Sequence, residues 1–163
     1  MKQDLYDKIV AYIVENQKKC YRLAFSYVRN EEDALDIVQN AICKALEHHE
    51  SLKNEDAIKT WFYRILVNES LLFLKKKKRE LLTGEDEALE LPYEEMGYEP
   101  PEESLYQQIS RLDAESQQIV RLRFFEEMSL QEIAEIMNMN VNTVKAKLYR
   151  SLKRLKATMQ EVE

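Results

Sequence analysis

Six basic side chains and no acidic one lie between Lys145 and Lys156, although the chain as a whole carries a formal net charge of −6. A helix that is merely solvated usually mixes both signs on its surface. On one exposed helix, such cations can bind phosphate groups, while polar side chains near its start can hydrogen-bond to the edges of bases. These residues predict nucleic-acid recognition. The alternative is a surface helix that is basic by composition alone.

Two short helices separated by a tight turn are expected to position these cations. Ser129 and Glu132 have the spacing of a capping box, so a helix should begin at Leu130. Asn138 stands where a left-handed residue can end that helix, because asparagine tolerates this conformation almost as well as glycine. Asn140 is a good N-cap for the helix that follows. The pattern predicts a helix-turn-helix unit.

The apolar positions of both helices recur at helical spacing and should face one core. They are Ile133, Ala134, Ile136, Met137, Val144, Leu148, Leu152 and Leu155. The second helix leaves polar and basic residues outside. These are Asn142, Thr143, Lys145, Lys147, Tyr149, Arg150 and Lys153. In a helix-turn-helix, the second helix enters the major groove, so DNA is the expected partner.

The composition describes a globular protein of 163 residues, with 45% apolar and 33% charged residues. No apolar run approaches the roughly 20 residues that cross a bilayer, and the polar N-terminus does not resemble a signal peptide, which predicts a cytoplasmic protein. Cys20 and Cys43 lack metal-ligand spacing and fall in helical patterns. Both are expected to be buried, reduced thiols.

The net charge is unevenly distributed. Residues 1–80 hold 15 basic and 13 acidic side chains, residues 81–104 hold 9 acidic and no basic ones, and residues 105–163 hold 9 and 8. Both glycines and all three prolines also lie in the middle segment. We therefore expect an all-α protein with two small helical domains, 1–80 and 105–163, joined by a flexible acidic linker at 81–104.

Within the first domain, a long helix from about residue 4 to 29 should bend near Asn16, and Asn30 should cap a second helix. A polar loop at 48–56 precedes a third helix. That helix ends in five consecutive basic residues: Lys75, Lys76, Lys77, Lys78 and Arg79. Capping of a helix C-terminus needs fewer cations, so we expect them to contact phosphates. In the second domain, Asp113 should cap a further helix.

Three stretches carry a resemblance to a known family. They are AFSYVRNEEDALDIVQNAICKAL (24–46), TWFYRILVNESLLFLKKKKRE (60–80) and LDAESQQIVRLRFFEEMSLQEIAEIMNMNVNTVKAKLYRSLKRLK (112–156). In this order, they resemble the extracytoplasmic-function (ECF) class of bacterial RNA polymerase sigma factors. The resemblance implies that the first domain is sigma region 2 and the second is sigma region 4. It also implies a non-enzymatic protein that needs no cofactor and directs core RNA polymerase to promoters.

The resemblance assigns roles to individual residues. The second helix resembles the surface that docks on the polymerase clamp, which implies contacts from Asp33, Asp36, Gln39 and Asn40, although the family often has an acid where Asn40 stands. The loop and third helix resemble the reader of the melted minus-ten element. This implies DNA contacts from Asn54, Tyr63, Arg64, Asn68 and the five consecutive cations. Trp61 lies on the apolar stripe and is expected in the core.

The helix-turn-helix resembles the reader of the minus-thirty-five element. The resemblance brings Asn142, Thr143, Lys145 and Lys147 nearest to the bases and Tyr149, Arg150 and Lys153 nearer to phosphates. A linker of 24 residues can reach roughly 80 Å, enough to span two promoter elements about two DNA turns apart. Its acids suit a positively charged channel of the polymerase. The family also implies an anti-sigma factor as a partner.

Three other functions fit the sequence less well. An enzyme would need a catalytic constellation, and none is visible. An ordinary helix-turn-helix regulator would bind a palindromic duplex without polymerase. A module that only sequesters another factor would leave the basic helix without a role. Run-off transcription with purified core polymerase distinguishes all of these from a sigma factor.

Overall fold

A computed structural model describes the backbone of residues 2–82 and 101–162, and the side chains of residues 4–81, 105 and 107–157. Regular structure within these ranges is helical, without a strand. The predicted all-α class is therefore confirmed. The predicted linker at 81–104 lies largely outside the described residues, and the flanking helices reach Leu82 on one side and start at Pro101 on the other.

The first domain begins with two helices, α1 (Lys2–Glu15) and α2 (Gln17–Val28), which are separated at Asn16 as the sequence predicts. Helix α2 ends where Arg29 adopts a left-handed conformation with φ of 55°. Asn30 then caps α3 (Glu31–Glu47) by accepting a hydrogen bond from the amide of Asp33. Three acids in the first turn of α3 complement its dipole.

Helix α4 (Ile58–Leu82) packs against α1, α2 and α3. Two 3₁₀ turns, His49–Ser51 and Glu55–Ala57, occupy the segment that the sequence predicts as a loop. Asn54 caps the second turn through a bond from the amide of Asp56 to its side chain (3.0 Å).

The second domain contains α5 (Pro101–Ser110), α6 (Ala114–Phe124), α7 (Leu130–Met137) and α8 (Val141–Val162). Asp113 caps α6 by accepting from the amide of Ser116. The predicted capping box is present, since Ser129 accepts from the amide of Glu132 (3.1 Å) and Glu132 accepts from that of Ser129 (3.0 Å). The predicted caps of both domains are confirmed.

The two domains pack directly against each other, with α7 on α4 and α6 on α2. Tyr27 on α2 donates a hydrogen bond to Gln118 on α6, and both side chains are buried. The Arg121 guanidinium lies 4.3 Å from the centre of the Tyr27 ring. Buried apolar residues of both domains therefore form one continuous core.

One expectation about burial is wrong. Cys43 is exposed, whereas Cys20 is buried as predicted. Phe124 is 54% exposed and Leu72 is 52% exposed, although their periodicity favours the core. Helical spacing identifies the stripe on which a residue lies, but residues at the edge of a stripe can remain outside the contact. Within the described ranges, no helix is long and apolar enough to span a bilayer.

The two cysteines should differ sharply in reactivity. Burial, followed by the nearby charge of Glu126, raises the pKa of the Cys20 thiol to about 12. Since the thiolate is the reacting species, Cys20 should stay unmodified at pH 8 while exposed Cys43 reacts with Ellman's reagent. We expect one thiol per chain to react in the native protein and two in guanidinium chloride. The variant Cys43→Ser should lose the native reaction and Cys20→Ser should keep it; the opposite result would contradict the assignment.

Candidate promoter and polymerase interface

The turn between α7 and α8 orients the basic helix. Asn138 has φ of 56° and ψ of 50°, and its amide bonds back to the carbonyl oxygens of α7. The amide of Asn142 donates to Asn140 Oδ1 (2.8 Å), which caps α8 as predicted. Val144, Leu148 and Leu155 are buried, so the opposite side of α8 faces outward.

Six of the seven predicted contact residues on α8 are exposed. They are Asn142, Thr143, Lys145, Tyr149, Arg150 and Lys153. The ammonium group of Lys145 lies 5.9 Å from the centre of the Tyr149 ring, one helical turn further along. We call the seven residues, including Lys147, the α8 surface.

Lys147 is the exception, because its ammonium group is held by two carboxylates of α6. It lies 3.4 Å from Glu115 Oε1 and 3.8 Å from Asp113 Oδ2. The bond from Ser116 to Asp113 lowers the pKa of that carboxyl group, and the charge of Lys147 contributes to the same effect. Asp113 therefore faces Lys147 as an anion at neutral pH.

The predicted polymerase contacts lie along one flank of α3. Asp36, Gln39 and Asn40 are exposed. Asp36 and Asn40 line an open cleft of about 490 Å³ together with Lys76 and Lys77 from the five consecutive cations of α4, the cation run. Asp33 is half-buried, and Lys77 lies 3.7 Å from its carboxylate. A residue predicted to contact polymerase and one predicted to contact DNA thus form an ion pair within the domain.

A second open cleft, of about 850 Å³, lies beside the first half of α4. The predicted DNA contact Asn68 lines it with Trp61, whose indole N–H donates to Ser51 Oγ (3.1 Å). Trp61 is half-buried, so it packs on the core and also forms a wall of the cleft.

The other predicted minus-ten residues are spread along α4 and the loop. Asn54 is exposed, but its side chain is engaged in capping the 3₁₀ turn. All five residues of the cation run, Lys75, Lys76, Lys77, Lys78 and Arg79, are exposed. Lys75 borders the larger cleft, while Lys76 and Lys77 border the smaller one. The run is therefore divided between two faces of α4.

Tyr63 is a wrong prediction. We expected it on an exposed nucleic-acid face, but it is 1% exposed and its hydroxyl donates to Glu126 Oε1 (2.8 Å). Arg64 is exposed, but its guanidinium already donates to the carbonyl oxygens of Glu135 and Ile136 at the end of α7. Tyr63 is buried and Arg64 is engaged because the second domain packs on the α4 face that carries both residues.

Three residues at this contact were missed by sequence reasoning. Lys59 lies 2.9 Å from Glu132, and Arg22 lies 3.4 Å from Glu126. The side chain of Glu126 is only 1% exposed. A single acid in a turn carries no sequence signal for burial, because its partners come from the distant helices α2 and α4.

Comparison with known proteins decides the family. A family model described as Sigma-70 region 2 matches residues 12–80, and one described as Sigma-70, region 4 matches residues 102–155. The RNA polymerase sigma factor SigV of Bacillus subtilis (strain 168) is 41% identical over 163 residues, covering 99% of this chain and 98% of the relative. The chain is an ECF RNA polymerase sigma factor.

One further relative agrees with this assignment, and two solved structures share the fold. The ECF RNA polymerase sigma-E factor of Haemophilus influenzae is 27% identical, with 98% of each chain covered. The sigma factor RpoE in complex with the anti-sigma factor NepR, from Bartonella quintana, has a similar fold, with a TM-score of 0.73 at 19% identity over 92% of this chain and 95% of that chain. CnrH in complex with the cytosolic domain of CnrY gives a TM-score of 0.72 at 18% identity over 95% and 89%. As a sigma factor, this chain directs RNA polymerase to promoters.

The left-handed turn of the helix-turn-helix can be tested by substitution at Asn138. Alanine should lower the free energy of unfolding by about 1 kcal/mol, because its Cβ is unfavourable at φ of 56°. Glycine should be neutral or slightly stabilising, since it adopts this conformation without strain. Urea unfolding followed by circular dichroism measures both changes. Equal losses for alanine and glycine would show that the asparagine side chain, and not the backbone angle, is what matters.

Proposed function

We propose that this sigma factor divides promoter recognition between its two domains, with the α8 surface binding the minus-thirty-five duplex. The observation that carries the proposal is the α8 surface itself, which has exposed polar residues at the start of the helix and cations further along. Early residues of a recognition helix meet base edges in the major groove, and later cations meet phosphates. No acid lies between Asn140 and Lys156 to oppose that contact.

We propose that the first domain binds the melted minus-ten element in the cleft beside α4. An open cleft of about 850 Å³ has room for an extruded base. Asn68 offers an amide group for a base edge, Trp61 offers an aromatic wall, and Lys75 lies at the border for the backbone. The remaining cations of the run follow α4 away from the cleft.

We propose that the exposed flank of α3 docks on core polymerase. Asp36, Gln39 and Asn40 present a carboxylate and two amides on one side of the helix, opposite the buried residues Ile37 and Ala41. Such a polar flank on a rigid helix suits a partner surface with basic and hydrogen-bonding groups. Asn40 would contribute a hydrogen bond where an acid would contribute charge.

We also propose that this chain binds an anti-sigma factor. We further propose that the sigma factor acts in the cytoplasm and catalyses no reaction itself. Support comes from the two similar folds, each of which is described in complex with an anti-sigma factor or with the cytosolic domain of a partner. Leu71 and Leu72 are exposed beside the larger cleft and offer apolar area to such a partner.

Two pairs of substitutions should separate polymerase binding from promoter binding. Asp36→Ala with Gln39→Ala should weaken the complex with purified core polymerase, whereas Lys145→Ala with Arg150→Ala should leave that complex intact. The α8 pair should instead lower run-off transcription by about tenfold or more. It should also reduce the salt dependence of promoter binding, because a protein that makes fewer phosphate contacts releases fewer counterions when it binds. Native gel shifts and run-off assays measure the two effects.

Matched controls are available on the same helices. Glu31→Ala removes an exposed acid from α3, and Lys156→Ala removes an exposed cation from α8 outside the α8 surface. Both should behave like the parent chain. Loss of polymerase binding by the α8 pair, or unchanged promoter use after it, would contradict the division of roles.

The ion pairs of Lys147 with Asp113 and Glu115 predict that removing one of these acids raises the affinity for promoter DNA. Glu115→Gln should release this cation for DNA and tighten holoenzyme binding to a promoter duplex by about two- to fivefold, as expected for a partly exposed ion pair. Fluorescence anisotropy with a labelled duplex measures the change. Glu127→Gln removes the same charge from the exposed α6–α7 turn and should have no comparable effect. Equal gains in both variants would attribute the change to net charge alone.

A further inference from the structure

The segment between α3 and α4 forms one side of the larger cleft. His48 and Ser51 line that cleft, and the segment contains both 3₁₀ turns. We call residues 48–57 the rim loop. Short 3₁₀ turns have poorer hydrogen-bond geometry than an α-helix, and of residues 48–56 only Leu52 is buried. The rim loop therefore depends on neighbouring helices for a fixed position.

Helix α1 contacts each of the two turns. The Tyr6 ring meets the His49 ring edge to face, with 5.2 Å between the ring centres. Lys8 Nζ lies 2.6 Å from Glu55 Oε2, and the bond to Glu55 raises the pKa of the Lys8 ammonium group. Residues two positions apart do not share a face of a helix, so the two contacts restrain the rim loop in different directions. Helix α1 is itself anchored in the core by Ile9, which is fully buried.

The rim loop uses different residues to contact α1 and to form the cleft. His49 and Glu55, which meet α1, are not among the residues that line the larger cleft. Ser51 does line it, and its hydroxyl accepts a hydrogen bond from the indole of Trp61 on α4 (3.1 Å). The rim loop is thus held between α1 on one side and the Trp61 wall of the cleft on the other.

We propose that Tyr6 and Lys8 are positioning residues for promoter recognition, which hold the rim loop against the larger cleft and thereby set the base preference at the minus-ten element. A recognition site discriminates between ligands only when its walls are held in place by supporting contacts. Ser51 and Trp61 form such a wall, and α1 supplies the support from outside. The effect on base preference rests on the proposed function, whereas the restraint of the rim loop by α1 does not.

The two contacts can be removed without unfolding the domain. The side chains of Lys8 and Glu55 are 52% and 50% exposed, and an exposed ion pair contributes little to the stability of a fold. Tyr6 is half-buried. The consequence of removing both side chains should therefore appear in the position of the rim loop and in base preference.

The restraint is tested first in the free full-length chain. Trp61 is the single tryptophan of the sequence, so its fluorescence reports on the wall that the rim loop completes. Tyr6→Ala with Lys8→Ala, the α1 variant, should raise the acrylamide quenching constant of Trp61. Tyr21→Ala with Lys18→Ala, the α2 variant, removes a half-buried tyrosine and an exposed lysine elsewhere and should keep the parent value. Equal quenching in the two variants would overturn the restraint.

A charge exchange distinguishes loss of the restraint from misfolding. Lys8→Glu places two carboxylates against each other and should raise the quenching constant. Adding Glu55→Lys restores opposite charges and should bring the constant back toward the parent value. Circular dichroism should show the helical content of the parent chain in both. A folded double variant that is quenched as strongly as the single variant would overturn the role of the Lys8–Glu55 pair.

Base preference is tested with holoenzyme reconstituted from core polymerase. Promoter fragments with a fixed minus-thirty-five element and a randomised minus-ten element are selected by binding and sequenced. The α1 variant should lower the ratio of preferred to other bases at the minus-ten positions by about fivefold, in line with one ring contact and one exposed ion pair. The α2 variant should keep the parent ratio, and both should bind core polymerase equally. An unchanged ratio in the α1 variant, or the same loss in both variants, would overturn the positioning role.

One further variant separates this proposal from the proposed function. Asn68→Ala should also lower the minus-ten ratio, because Asn68 lines the same cleft. If Asn68→Ala keeps the parent ratio, the cleft does not read the minus-ten element, and the proposed function and the positioning role fail together. The restraint of the rim loop by α1 would then still stand on the fluorescence result.

Discussion

Helix α7 has only eight residues and depends on contacts made by others at both of its ends. An isolated helix of that length is unstable in water. The free-energy cost of nucleating the helix exceeds the gain from the hydrogen bonds of only two turns. Its capping box satisfies amides at the start, Asn138 closes the end, and its apolar face is buried against α8. Because α8 packs on α7 as well as on α6, the position of the α8 surface depends in part on this short helix.

The remaining side of α7 packs on α4, so α4 contacts the second domain as well as its own. This contact uses two cations of α4. Lys59 and Arg64 belong to the helix beside the larger cleft, and they contact α7, where Lys59 pairs with Glu132 and Arg64 donates to two carbonyl oxygens. Lys147 is similarly held by Asp113 and Glu115. Two cations predicted to contact DNA, Arg64 and Lys147, thus have acceptors within the chain, which limits their non-specific attraction to nucleic acid.

Features set by neighbouring residues could be predicted from sequence. The capping box at Ser129, the left-handed Asn138 and the caps at Asn30 and Asp113 all depend on residues within three or four positions, and all are present. The resemblance to the sigma factor family also rests on local stretches of sequence that occur in a fixed order. The exposure of Cys43 could not be predicted in this way, because a helical pattern gives the angle of a residue around the helix but not the extent of the covering partner.

Tyr63 shows why the domain contact in particular escaped prediction. Helix α4 buries Phe62 and Leu66 in its own domain, and Tyr63 against Glu126 of the other. A helix with two buried faces has a weak amphipathic pattern, so a buried tyrosine beside an exposed arginine resembles a polar surface pair. Lys59 and Tyr63 are four positions apart and therefore share one face, but that face becomes recognisable only once its partners, Glu132 and Glu126, are known to lie opposite. Contacts of this kind depend on residues of both domains. They therefore cannot be recognised from the sequence of either domain alone.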